Sequence, residues 1–185
     1  MISLQPIHTE HPDYLFVEQL LHYSFPPEER RNDECQRSNT DHEPLFECYL
    51  ITEGSTAIGL VTVWKLNGFN YIEHLATSPE LRNKGYGRQI MEQVKANFPG
   101  ITILEVEPPE NEMSKRRIGF YHRCGFELCE KEYLQPPYRQ GEKPFRLCLM
   151  FRGSDSIDSL FEHIRNEIHQ KVYKYFPNAP TNLSA

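Results

Sequence analysis

The stretch Arg82-Asn83-Lys84-Gly85-Tyr86-Gly87 has the residue types and spacing of an anion-binding turn, between a strand-like run, Tyr71 to Thr77, and a helix-like one, Arg88 to Phe98. At a strand-to-helix turn the first backbone N–H groups of the helix lack intrahelical partners. They face outward with the positive end of the helix dipole behind them, which suits a phosphate. Gly85 and Gly87 carry no Cβ, so the backbone can take unusual dihedrals and come close to a pyrophosphate, and Arg82 and Lys84 add complementary charge. Two familiar nucleotide loops are excluded by the spacing. A Walker loop needs Gly-Lys followed by Ser or Thr, but Lys84 precedes its glycine and Tyr86 follows it. A dinucleotide fingerprint needs a third glycine three places after Gly87, where Ile90 stands.

A second segment, Arg116-Arg117-Ile118-Gly119-Phe120-Tyr121-His122-Arg123-Cys124-Gly125-Phe126, reads as a helix carrying Phe-Tyr, a glycine stop and a new strand. Gly125 falls where a helix end takes a left-handed residue. Arg-x-x-Gly-x-Gly between a strand and a helix resembles the acetyl-coenzyme A loop of the GCN5-related N-acetyltransferases (GNAT). The Phe120-Tyr121 segment resembles the second hallmark of that family. Strand, loop, helix, the strand Ile101 to Glu107, the Tyr121 helix and the strand from Phe126 also follow the family's order. The resemblance spans about residues 1–152 and implies an α/β (α+β) GNAT fold: a mixed, mostly antiparallel central sheet flanked by helices. An added amphipathic helix over residues 153–177 and a loose tail over 178–185 complete the expected organisation.

The function implied by the resemblance is direct transfer of an acetyl group from acetyl-coenzyme A to a primary amine in a ternary complex, with no metal. The acceptor is left open among small metabolites, antibiotics and protein or peptide amines. A non-catalytic acyl-coenzyme A binding or interaction module is the alternative, and a longer acyl donor a third reading. Such a transfer must polarise the thioester carbonyl, deprotonate the amine and protonate the departing thiolate. By resemblance, backbone groups of Leu75, Ala76 and Thr77 hold the pantetheine arm as an extra strand. The N–H groups of Asn83, Lys84, Gly85, Tyr86, Gly87 and Arg88 take the pyrophosphate, with Arg82 close by. Tyr121 matches the family's acid, and a phenol with pKa of about 10 keeps a proton to give. A tyrosine packed beside Phe120 is the other reading. Glu73 is the candidate base, on the same face as Tyr71 and Leu75 by strand alternation, unless it is simply an exposed strand glutamate. It acts through water or as an electrostatic guide unless burial raises its pKa. Glu105 and His74 are rivals, with His74 expected to face away from Glu73, and His122 is expected to be exposed. One departure from the family pattern concerns Ser114 and Arg117, which stand about where an asparagine and a small residue are common, with Asn111 one turn earlier. Cofactor contacts from Ser114 or Asn111 are left open.

The elements that must position these groups can be read from periodicity. Ile2 to Ile7 alternates as a strand, and Tyr14, Val17, Leu20 and Leu21 share a helix face that Pro26-Pro27 ends. Glu29 to Thr40 reads as an exposed helix. Phe46 to Thr52 and Ala57 to Lys65 form a hairpin through Glu53-Gly54-Ser55, and Asn67-Gly68 marks the next turn. Tyr133 to Gly141 holds too much proline for a central strand and reads as a loop over the acceptor site. Tyr133 and Tyr138 either line that site or anchor the loop at the surface. Phe145 to Phe151 is the last strand. Ile157, Leu160, Phe161, Ile164, Ile168 and Val172 recur at helical spacing from Ser154 and serve either the chain's own core or a homodimer contact.

Composition limits the partners. With 185 residues and 38% hydrophobic content, one well-buried domain is expected. A net charge of −6 argues against nucleic acid and favours a cationic acceptor. No run is long enough to span a membrane and no signal segment is read, so a cytoplasmic protein, monomer or homodimer, is expected. Five cysteines without Cys-x-x-Cys spacing point to buried, reduced thiols.

Overall fold

Alternating apolar residues and two glycine turns fold the first half of the chain into consecutive antiparallel strands. A computed structural model describes residues 1–81, 84–139 and 141–174. Strand β1 (Ile2–Pro6) is followed by α1 (Tyr14–Ser24), a 3₁₀ turn (Pro27–Glu29) and α2 (Asp33–His42). Then come β2 (Phe46–Glu53), β3 (Thr56–Leu66) and β4 (Phe69–Thr77), whose turns use Gly54 and Gly68 at φ 61° and 88°. Helix α2 starts later than its polar composition indicates because Asn32 caps it, accepting from the Cys35 N–H at 2.8 Å. The second half holds α3 (Tyr86–Asn97), β5 (Thr102–Val106), α4 (Glu112–Arg123), β6 (Glu127–Leu128), β7 (Tyr133–Gln135) and β8 (Phe145–Arg152). Helix α5 (Phe161–Glu167) runs into a wider π turn, Ile168–Val172.

The strands lie in the order β1-β2-β3-β4-β5-β8-β6, with β7 added on β8, and only β4 and β5 pair in parallel. This is the mixed, mostly antiparallel sheet flanked by helices that the resemblance implies. On one face pack α1 and the C-terminal turns, through Val17, Leu20, Ile157, Phe161 and Ile164. On the other pack α3 and α4, through Ile90, Met91, Val94 and Ile118. Each such fully buried aliphatic side chain contributes roughly 1.5–3 kcal/mol of transfer free energy. Gly125 takes φ 84° after α4, as the helix stop requires. Among the described residues no helix is long and apolar enough to cross a membrane. Of the five free cysteines, Cys48 and Cys129 are buried and Cys35 is exposed.

Two irregularities create the site. Strands β4 and β5 pair only from Asn70–Thr102 to Ile72–Leu104, then part, so Glu73 and Glu105 are the first residues beyond the last pair. On its other edge β4 is bulged. Thr62 faces His74 and Val63 faces Ile72, which leaves Glu73 as the extra residue. A bulge resets strand alternation, and two expectations fall with it. Leu75 does not share a face with Glu73, since it packs with Ile72 on the α3 side while Tyr71 and Ala76 pack on the α1 side. His74 does not turn away from Glu73 either: its Nδ1 lies 3.8 Å from Glu73 Oε2.

The C-terminal segment departs from a single long helix. Residues before Phe161 form turns, and the π turn rotates the last residues so that Tyr173 reaches the β4–β5 gap. Ile157, Phe161, Ile164, Ile168 and Val172 are all buried in the chain's own core. The proline-rich segment begins with a short strand, β7, tolerated because it adds to β8 at the sheet's margin and ends before Pro136.

Candidate active site

The glycine turn builds the first half of the site. Gly85 is the N-cap of α3 at φ 83°, a left-handed conformation, and a Cβ there would meet nothing. No acidic residue lies in the first turn of α3, so nothing of its own offsets the helix dipole. Gly87 serves another purpose than the backbone approach expected of it. A Cβ at that position would stand 3.1 Å from Cζ of Phe120, so its absence lets α3 close on α4. The resulting cleft, about 720 Å³, is lined by Gly85, Tyr86, Gly87 and Arg88 together with Arg116, Arg117 and Arg123 of α4. Four guanidinium groups around a free helix N-terminus make an anion site suited to several phosphates. Tyr86 donates to Glu53 at 2.6 Å, and Lys84 is exposed outside this lining. Arg82 and Asn83 lie outside the described residues.

Next to this cleft the parted edge of β4 is open. Glu73, Leu75 and Thr77 are each half-buried, and since the Glu73 side chain is 0% exposed, its accessible part is main chain. Ala76 is buried between them, its carbonyl only 2.5 Å from where a Gly59 Cβ would sit. An extended amide-bearing chain can add to such an edge by backbone hydrogen bonding.

The two carboxylates at the parting are treated in opposite ways. Arg31 grips Glu73 with both Nη atoms, at 2.5 and 2.9 Å, while Trp64 Nε1 donates at 3.0 Å and Tyr138 Oη at 2.8 Å. Burial alone would raise the Glu73 pKa, but the Arg31 charge overrides it and, with the Arg31 and Trp64 hydrogen bonds, holds the carboxylate at about 2. A carboxylate so paired has little basicity left, which disfavours the expected role of Glu73 as base. The bulge turns the side chain to the Arg31 side of the sheet.

Among the described residues Glu105 has no cation. Tyr133 donates to Oε1 at 2.5 Å and Tyr173 to Oε2 at 2.7 Å, and Tyr71 lies 3.2 Å from the Tyr173 hydroxyl. Burial pushes its carboxyl up to about 7, the tyrosine hydrogen bonds restraining the rise and the Glu73 charge adding to it. Burial also holds the Tyr133 and Tyr173 phenols far above 10, so they remain donors. His74 stays neutral because burial lowers its pKa. Its Nε2 donates to the Glu29 carbonyl at 3.1 Å, which leaves Nδ1 to accept from Thr62 Oγ1 at 3.3 Å.

These groups line a second cleft of about 370 Å³, where Glu73, Glu105, Tyr138 and Tyr173 meet Phe25 and Glu29. Arg117 lines both clefts, so they adjoin along α4. Tyr121, one turn beyond Arg117, is half-buried with Phe120 and Phe126 rings at 5.2 and 5.7 Å and lines neither cleft. Burial pushes its phenol up to about 12, so it holds its proton. Asn111 and Ser114 are committed to each other as the capping box of α4, with Ser114 buried. His122 is exposed, as expected.

Sequence reasoning missed Arg31, Trp64 and Tyr173. The Phe25-Pro-Pro-Glu-Glu-Arg-Arg segment carried a signal for the first, since a break over the site that ends in paired arginines has a strand glutamate to meet. Tyr133 and Tyr138 are not surface anchors: the first is 1% exposed and donates to Glu105, and the second lines the cleft and donates to Glu73.

Comparison with known proteins agrees with this architecture. The model of the acetyltransferase (GNAT) domain family matches residues 44–128. A solved protein from Bacteroides thetaiotaomicron, described as an acetyltransferase of the GNAT family, is 42% identical and superposes with a TM-score of 0.91, covering 94% of this chain and 99% of its own. A chimera of the Vibrio cholerae spermidine N-acetyltransferase SpeG with hSSAT shares the fold at 18% identity and a TM-score of 0.60, over 82% and 94% of the two chains. A Bacillus subtilis acetyltransferase in complex with CoA does so at 15% identity and 0.54, over 83% and 99%. No curated protein matches the sequence. The chain belongs to the GNAT acetyltransferase family.

Glu73→Ala leaves the Arg31 guanidinium buried and unpaired and should cost about 3–5 kcal/mol of stability, read as a lower denaturant midpoint at unchanged slope. A loss below about 1 kcal/mol would show that the pair does not hold the site together. Gly87→Trp should drive Phe120 away and open the arginine cleft. Its coenzyme A dissociation constant should rise roughly ten-fold or more, a difference of about 1.4 kcal/mol, in calorimetry on the folded variant. Parent-like affinity would remove the cleft from cofactor binding.

Proposed function

We propose that the chain transfers the acetyl group of acetyl-coenzyme A directly to a primary amine in a ternary complex, with Glu105 as the general base and Tyr121 as the general acid. The observation that carries this reading is the adjacency of the two clefts through Arg117: an arginine-lined anion site on one side and a glutamate-lined pocket on the other. Acetyl-coenzyme A, when bound, supplies an acyl group on a good leaving thiolate. Arg88, Arg116, Arg117 and Arg123, with the N–H groups of Gly85 to Arg88, fit its phosphates. The open edge from Glu73 to Thr77 fits its amide-bearing arm. Lys84 adds charge nearby, and Arg82 and Asn83 belong to the same turn by sequence.

A free aliphatic ammonium has a pKa near 10, so a base whose own pKa lies near 7 is far better matched to it than one near 2. Glu105 takes the proton directly or through one water. Tyr133 and Tyr173 then stabilise whichever charge state remains by keeping their hydroxyl donors on its oxygens. Glu73, neutralised by Arg31, anchors the cleft and is not its base. Tyr121 is the acid because its buried phenol keeps a proton across the physiological range and no hydrogen bond among the described residues claims it. The protein is taken to work in the cytoplasm as a monomer or homodimer.

In the parent, kcat/KM should rise with pH through about 7, because Glu105 must lose its proton to act as base, with a separate rise as the amine itself deprotonates. Glu105→Gln should remove the step near 7 and lower kcat by roughly 10²-fold or more. A step that persists in this variant would assign the base elsewhere. Tyr121→Phe keeps the ring and removes the proton donor, so kcat should fall by roughly 10²-fold while coenzyme A affinity changes little. An unchanged kcat under conditions where chemistry limits the rate would make Tyr121 a packing residue.

A further inference from the structure

The C-terminal turn is bound to the site at three successive residues. The Val172 carbonyl accepts from Arg31 Nη2 at 3.5 Å, the Tyr173 hydroxyl donates to Glu105 Oε2 at 2.7 Å, and Lys174 Nζ donates to Glu43 Oε2 at 3.2 Å. Lys174 takes φ 54°, a left-handed conformation that a residue with a Cβ adopts only where its surroundings impose it. Before it, the backbone N–H of Tyr173 bonds to the Ile168 carbonyl, five residues back, at 3.3 Å. In a regular α-helix Tyr173 would stand roughly 140° around the axis from Ile168. The wider π turn brings it round, so that Ile168, Val172 and Tyr173 are all buried.

The hydroxyl delivered in this way has a defined direction. Tyr173 gives its one hydrogen to Glu105, so in its contact with the Tyr71 hydroxyl, 3.2 Å away, Tyr71 is the donor. Two phenol hydrogens in series therefore point at one carboxylate oxygen, an arrangement that polarises cooperatively and favours negative charge at its end. Tyr133 donates to the other oxygen, Oε1, at 2.5 Å. A carboxylate held at both oxygens cannot turn freely about its last bond, whereas one donor alone would leave it able to. The two donors differ in origin. Tyr133 belongs to β7, which adds to β8, the strand beside β5, but Tyr173 comes from outside the sheet.

We propose that Tyr173 is a positioning residue for the transfer: backed by Tyr71 and carried in by the π turn, its hydroxyl fixes the plane of the Glu105 carboxylate and favours its ionised form. This rests on the reading of Glu105 as the base. Besides Tyr71, Tyr133 and Tyr173, the titratable groups facing Glu105 are Glu73 of β4 and Tyr138 of the proline segment. Arg117 of α4 and Arg146 of β8 line the same cleft but pair with Glu107 and Glu110, and Glu29 lines it from the 3₁₀ turn. Tyr173→Phe leaves all of these in place and keeps the ring against Tyr138, whose centroid is 4.9 Å away.

Carbon-13 NMR of protein labelled at the glutamate side-chain carboxyls follows Glu105 directly, its signal identified by its absence in Glu105→Gln. In the parent it should titrate near 7. In Tyr173→Phe the midpoint should rise by roughly one unit, because a donor to the charged form is lost. The step in kcat/KM should move with it, leaving the variant roughly five-fold lower at pH 7 and recovering as pH climbs. A side chain that only packed would lower the rate equally at every pH. Tyr71→Phe should shift the midpoint in the same direction by less, and it carries the test if Tyr173→Phe does not fold. A Glu105 midpoint within about 0.3 units of the parent's in the folded variant overturns the proposal. The base reading fails separately: a shifted NMR midpoint with no step in the parent's kcat/KM upholds the hold of Tyr173 on Glu105 and defeats Glu105 as base.

Discussion

The bidentate pair between Arg31 and Glu73 is the contact on which the site's architecture depends. Arg31 follows the first break in the chain, Glu73 is the bulge residue of β4, and around the pair stand Trp64 of β3, Tyr138 of the proline loop and the carbonyl of Val172. Aromatic rings of Phe46, Trp64 and Tyr138 lie 5.3 to 5.8 Å from the guanidinium carbon. Six separate stretches of sequence therefore meet at one buried charge pair. Such a pair adds little net stability over apolar residues of equal volume, but losing either partner strands a charge in the core. It fixes which loops can sit over the cleft.

That commitment of Glu73 is what frees Glu105. Both carboxylates flank the parting of β4 and β5, and with both ionised and unpaired they would repel each other in a poorly solvated space. Giving one an arginine and the other only phenols separates their proton affinities, one near 2 and the other near 7. Two like groups in one gap thereby acquire two roles, an electrostatic anchor and a group able to exchange protons near neutrality. His74 does not blur this division, because its burial keeps it neutral and its two nitrogens are spent on Glu29 and Thr62.

Much of the fold was legible because its signals are local. Gly85 and Gly125 stand at left-handed positions that their flanking elements demand, and strand alternation located β1 to β4 within a few residues. The two motifs around Gly85 and Tyr121 sufficed for the family. What alternation could not register was the bulge at Glu73, since one inserted residue leaves no mark in composition yet reverses the face of everything after it. From that slip came the wrong side for His74 and Leu75. Which groups Arg31, Tyr138 and Tyr173 would meet was illegible for another reason. Their partners lie 42, 65 and 68 residues away, and only the folded chain joins them. The arginines of α4 were within reach, because Arg116, Arg117 and Arg123 sit at helical spacing beside a phosphate turn.

The raised carboxyl of Glu105 also has a thermodynamic consequence. Its pKa rises from 4.5 in the unfolded chain to about 7 in the folded one, so the folded protein holds a proton that the unfolded chain releases. Stability from this group is complete below about 4.5 and is lost as pH climbs through 7, about 3 kcal/mol in all. Glu73 acts in the opposite sense and far from neutrality: its depressed pKa makes its contribution full above 4.5 and lost only as pH falls toward 2. Across the working range the first term varies while the second is constant. The ionised form of the site is thus the less stable form of the fold. The tyrosine donors on Glu105 limit that deficit, and a cation resting beside it would reduce it further. A cation bound there would thereby complete the charge balance of the fold.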